Sequence, residues 1–152
     1  MTEPRRIWWA RPRKLCVLER PGGGGRSHRP DRREREIEWL KAHGVRTVIS
    51  TMATRHNLAA YEQAGLRWLH VPVAEVAGNE DGLEEVLRAL RRELRRSGAV
   101  AVHGDRRTDF AAAASAACLY DVYGVAVEEA LDRAVDAGMT VTPEARALVG
   151  AG

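Results

Sequence analysis

The sequence predicts an α/β fold with a mostly parallel central sheet flanked by helices. Short apolar runs at 45–51, 66–73 and 99–103 alternate with longer segments of helical period, as in repeated strand–helix–strand units. Glycines stand where the helical segments end, at Gly44, Gly65, Gly98 and Gly124. A chain of 152 residues that is 45% hydrophobic and 30% charged can fold on its own core, without disulfides or metal. Residues 1–152 read as one domain, with a basic N-terminal segment at 1–35 that contains a glycine-rich loop at 21–30.

Residues 7–18 alternate loosely and read as two short strands. Residues 21–30, PGGGGRSHRP, read as a linker. A phosphate-cradling glycine loop would open directly into a helix, whereas here the helical signal begins at Pro30-Asp31. Helices follow at 31–43, with Ile37, Trp39 and Leu40 as the apolar stripe, and at 56–64. Residues 81–97 form an amphipathic helix with Leu83, Val86, Leu87, Leu90 and Leu94 on one face. Residues 110–123 and 125–137 read as two helices divided by Gly124. Thr142 is an N-cap candidate ahead of Pro143 in a last short helix. In open α/β sheets the site lies beyond the C-terminal ends of the strands, which directs attention to residues 103–110, HGDRRTDF.

The net charge of +3 is uneven: residues 1–35 carry +7 and the remainder −4. Such asymmetry suits an acidic partner. No nucleic-acid-binding motif accompanies it, so nucleic acid is not the expected partner. The run 88–96, RALRRELRR, lays basic residues along one helix face, either a solvated face or a docking surface. No apolar run approaches the roughly 18 residues of a membrane span. Residues 1–14 hold no apolar segment of signal-peptide length. Cys16 and Cys118 fit no metal or redox spacing, and both read as buried packing residues. The expectation is a cytoplasmic protein with no membrane association and no cofactor. His28, His43, His56 and His70 match no ligand spacing, and Trp8, Trp9, Trp39 and Trp68 read as packing residues.

The order of these pieces, in particular GVRTVIST, GLRWLHVPV, AVAVH with its loop and alanine-rich helix, and YGVAVEEAL, resembles the small dual-specificity branch of the cysteine-dependent protein tyrosine phosphatases, from about Trp8 to Ala137. The resemblance implies a dual-specificity-phosphatase-like sheet. Active members carry His-Cys, five residues, then Arg and Ser or Thr, with an aspartic acid on an upstream loop. There the thiolate attacks phosphorus. Backbone N–H groups and the arginine hold the phosphoryl oxygens, and the aspartic acid protonates the leaving group.

This chain departs from that pattern at the chemical positions. His103 is kept, and the resemblance gives it a structural role buttressing the loop. Gly104 stands at the cysteine position, and glycine offers no nucleophile. An ungapped count puts Phe110 at the arginine position, Ala111 at the Ser/Thr position and Glu75 at the general-acid position. A gapped alternative aligns Arg107-Thr108 with the Arg-Ser/Thr pair. The resemblance therefore implies a pseudophosphatase: a binding or scaffolding module with a protein partner, phosphorylated or not. Residues Gly104, Asp105, Arg106, Arg107, Thr108 and Asp109 are the candidate set for a retained phosphate or sulfate. Asp105 and Asp109 oppose an anion there, and Phe110 would fill the pocket floor. The alternative is a phosphoester hydrolase working without cysteine, by acid–base or metal-assisted chemistry. It would gather His103, Asp105 and Asp109 with Glu75 or His70, although no metal-binding motif is present. A third reading places the partner on the basic N-terminal third, at Arg26, Arg29, Arg32 and Arg33.

Overall fold

The alternating apolar runs pair into a single five-stranded sheet in the computed structural model, which describes residues 1–151. In chain order the elements are β1 (Trp8–Arg11), β2 (Leu15–Leu18), α1 (Pro30–Ala42), β3 (Val45–Ser50), α2 (Leu58–Gln63), β4 (Arg67–His70), α3 (Glu80–Glu93), β5 (Ala99–His103), α4 (Asp109–Tyr123), α5 (Val127–Asp136) and α6 (Pro143–Leu148). The sheet order is β1-β2-β5-β3-β4. The pairings among β2, β5, β3 and β4 are parallel, and β1 lies antiparallel on the edge against β2. The predicted α/β class, with a mostly parallel sheet between helices, is the observed one.

Strand side chains alternate between the two faces, and the core divides accordingly. Leu15, Val17, Val100, Val102 and Ile49 join the cluster that packs against α3, α4, α5 and α6. Cys16, Leu18, Ala99, Ala101 and Val48 join the one that packs against α1 and α2. Two-sided burial explains why the central strands read as unbroken apolar runs rather than alternating ones. In α4, residues 111–114 are four consecutive buried alanines. Small side chains on every face let this helix sit close to the sheet beneath it, with Phe110 and Leu119 filling the space at either end. Thr142 Oγ1 accepts from Ala145 N at 3.2 Å, so the predicted N-cap of α6 is present.

The glycine-rich segment departs from the linker expectation. Pro21, Gly22 and Gly23 are buried, and a short 3-10 turn forms at Gly25–Ser27. The Gly22 N–H donates to Oε1 of the buried Glu36 on α1 at 2.6 Å. A flexible linker would be solvated; this segment is fixed because a carboxylate on the next helix satisfies its backbone. The indole side chains also differ in degree: Trp8 is buried, while Trp9, Trp39 and Trp68 are half-buried at the margin of the core. Among the described residues, no helix is long and apolar enough to cross a membrane.

Candidate functional site

β5 ends at His103, in the middle of the sheet, and the chain turns over its C-terminal edge before α4 begins at Asp109. The loop between them opens onto a cleft of about 650 Å³. Met52 and Thr54 after β3, Val73 and Glu75 after β4, and Thr142 and Glu144 at the start of α6 complete its walls. Glu75 and the 104–110 loop, proposed from sequence to share a site, are thus brought together.

His103 is fully buried beneath the loop. Its Nδ1 lies 2.6 Å from Gly104 O, so Nδ1 must carry the proton and donate. Nε2, 2.6 Å from the Tyr61 hydroxyl, then accepts from it. Burial is the main cause that lowers the His103 pKa to about 4, which keeps the ring neutral. Tyr61 accepts from Asn57 Nδ2 at 3.3 Å, and the same Nδ2 donates to Pro21 O at 3.0 Å. Asn57 Oδ1 accepts from Arg20 Nε and Nη2 at 3.2 and 3.1 Å. Arg20 Nη1 returns to Asp105 Oδ1 at 3.3 Å. The network closes on the loop that His103 supports, so the 103–105 backbone is held from below and from the side. Sequence reasoning missed Arg20, Asn57 and Tyr61. Asn57 has φ +73°, a left-handed conformation that asparagine tolerates better than most residues.

Gly104 lies at the centre of the site. A Cβ built there would stand 2.8 Å from the Arg107 carbonyl oxygen and 3.5 Å from Thr51 Oγ1. Thr51 is itself fixed, donating from N and Oγ1 to His103 O at 2.8 and 2.9 Å. A carbonyl therefore roofs the position from which a side chain at 104 would rise, and it presents a partial negative charge to it.

Asp109 engages two donors of the loop, the Arg107 guanidinium and the Phe110 N–H, and Asp105 binds donors from outside it. Asp105 Oδ1 takes Arg20 and also the Gly25 N–H at 3.2 Å. Asp109, buried, takes the Phe110 N–H at 3.0 Å, the Thr142 hydroxyl at 3.3 Å and the Arg107 guanidinium at 3.4 Å. Arg106 extends sideways over the glycine-rich segment. A Cβ on Gly24 or Gly25 would come 2.6 Å from its Cγ or 2.7 Å from its Cδ, so its stem fits only against glycine. Thr108 is buried and faces away from the cleft, accepting from Thr140 N at 2.9 Å. Of the candidate set 104–109, Gly104, Asp105, Arg106, Arg107 and Asp109 line the cleft and Thr108 does not. Phe110 is buried and contributes to the cleft floor.

The remaining sequence candidates lie apart from this chemistry. Cys118 is buried in α4 and Cys16 in β2. Burial pushes the Cys118 thiol up to about 12 and Cys16 higher still. His70 is held by Met52 O at 2.8 Å and does not line the cleft. Among the described residues, no three His, Cys, Asp or Glu side chains gather as a metal ion would require.

No family model and no curated protein matches the chain. Its architecture does match solved structures. Tk-PTP in its active form superposes with a TM-score of 0.72 at 20% identity, covering 95% of this chain and 94% of that one. TpbA of P. aeruginosa gives 0.74 at 21%, covering 95% and 83%. Human DUSP28 gives 0.73 at 20%, covering 97% and 94%. Nearly the whole chain therefore has the fold of the dual-specificity and protein tyrosine phosphatases.

Proposed function

We propose that this domain is a phosphatase-fold binding module that engages a protein partner at the 103–110 cleft without hydrolysing phosphoesters. One observation carries the reading. The position at the end of β5 that would carry a nucleophile is Gly104, and the Arg107 carbonyl occupies the space above it. The surroundings support it. A phosphoryl group would meet Glu75, Asp105, Asp109 and Glu144, and the nearest guanidiniums are turned aside or already paired. The Phe110 ring fills volume that an anion-binding guanidinium would need. Both thiols sit in the core, protonated at neutral pH.

The test pairs calorimetry with an assay. Tungstate, a tetrahedral phosphate mimic, is titrated into the protein, and p-nitrophenyl phosphate turnover is followed with and without a chelator. The expected result is no heat up to millimolar tungstate and no turnover above a heat-denatured control. Micromolar tungstate binding, about −8 kcal/mol, that is lost in Arg106→Ala/Arg107→Ala would make the set 104–109 a working anion site and favour a phosphorylated partner. Turnover would overturn the module reading in favour of a hydrolase without cysteine, and chelator sensitivity would assign it to a metal.

A further inference from the structure

We propose that the end of the sheet opposite the cleft is a docking surface for an acidic, aspartate- or glutamate-rich segment of a partner protein. The parallel strands begin at that end, and α1, α2 and α3 finish there, since each helix runs back before the strand it precedes. Arg67 at the start of β4, Arg92 at the end of α3 and Arg96 just beyond it converge on one carboxylate. Their Nε atoms lie 2.6, 3.1 and 3.4 Å from the oxygens of Glu93, whose side chain is fully buried. Burial is the largest single influence on the Glu93 carboxyl and raises its pKa, but the hydrogen bonds from Arg67 and Arg92 and the charges of Arg67 and Arg96 together bring it below its ordinary value, so the cluster holds. A single buried anion thus orders three long side chains in advance, and their rotamer entropy is not lost again on binding. The three side chains remain 44, 55 and 52% exposed, so the outer edges of the guanidiniums stay at the surface.

More cations stand around this trio. Lys14 Nζ donates to Arg96 O and Gly98 O, each at 3.2 Å, and Arg46 packs over Gly98. Lys41 Nζ donates to Ala64 O at 2.6 Å. Arg13 in the β1–β2 turn and Arg95 beyond α3 are exposed. The eight cations just named, set against Glu93 and the Glu62 of α2, sum to +6 in a chain whose total is +3. Arg91 and Asp121 cancel each other at the margin. Lys41 is accounted for by the C-terminus of α2, whose last carbonyl it caps, and Lys14 by the turn between α3 and β5, whose carbonyls it holds. Arg13, Arg46 and Arg95 have no ionic partner among the described residues and leave a true excess.

The chemistry of the surface selects the occupant. Planar guanidiniums match carboxylates in a bidentate manner. The rings on which a nucleic-acid strand would stack are already covered: Trp68 lies under Arg55 and donates to Glu62, and Trp39 stacks on His43. The assay is fluorescence anisotropy of a fluorescein-labelled oligoglutamate of about ten residues, roughly 30 Å when extended, enough to cross the strand ends. The full chain should bind it, more weakly as salt rises. Arg13→Glu/Arg95→Glu, which touches no ion pair and leaves the Glu93 cluster intact, should weaken binding at least about tenfold. Arg26→Glu/Arg29→Glu, at the other end of the molecule, should not. The proposal is overturned by no binding, by equal binding of the Arg13→Glu/Arg95→Glu variant, or by tighter binding of an oligothymidylate of the same length.

Discussion

Acidification offers a quantitative test of the buried His103. In the unfolded chain a histidine titrates near 6.5, whereas in the folded domain burial holds His103 at about 4. Between those values the unfolded state binds a proton that the folded state refuses. Stability is therefore undiminished above pH 6.5 and falls as pH drops, until the folded ring itself protonates. The full interval is worth about 3 kcal/mol at 1.36 kcal/mol per unit, and about 2 kcal/mol of it is lost between pH 7.5 and 5. His103→Gln isolates this contribution. A glutamine amide can donate to Gly104 O and accept from Tyr61, and it does not titrate. Urea unfolding of both proteins at pH 7.5 and 5 measures the effect. The wild-type midpoint should fall by about 1 M more than that of the variant, taking a slope of about 2 kcal/mol/M. Carboxylates and the half-buried His28 are common to both proteins and cancel. Parallel loss in the two proteins would refute the assignment of a neutral, buried imidazole.

Three further outcomes follow from the site. Gly104→Cys should give no burst of p-nitrophenol in stopped flow, and should destabilise by about 1–3 kcal/mol, because the new Cβ meets the Arg107 carbonyl. Gly24→Ala should cost a similar amount in urea unfolding, since its Cβ would come 2.6 Å from both Arg106 Cγ and Asp105 O. It should also perturb the amide resonances of 104–107, which a change confined to a free linker would leave in place. Thr142→Ala should lower stability by about 1 kcal/mol by removing the α6 cap, with a smaller further loss from the Thr142–Asp109 hydrogen bond, read by thermal unfolding.

The order of elements was legible because strand and helix periods differ and because glycines mark the helix ends. His103 and the loop after it were found by the rule that sites lie beyond strand C-termini, and Glu75 by its place in the resemblance. The glycine-rich segment reads as a linker from its composition, and its fixed structure has a definite cause. What fixes it is Glu36, fourteen residues away on α1, and Asp105, eighty residues away on the loop. Neither distance leaves a trace in local composition. The Arg20–Asn57–Tyr61 chain was invisible on the same grounds: each member is unremarkable in its own segment, and only the sheet order brings them under the loop. Position in the chain groups Thr108 with its neighbours, but the start of α4 turns its hydroxyl toward Thr140.

The two thiols have a consequence for oxidative conditions. Cys16 belongs to the cluster beneath α1 and α2, and Cys118 to the cluster on the other face. The sheet stands between them, so they have no route to an internal disulfide. Neither is a thiolate at physiological pH, and peroxides attack thiolates. The oligoglutamate binding proposed above needs no thiol, so it should survive a peroxide pulse that would silence a thiolate-dependent enzyme of the same shape.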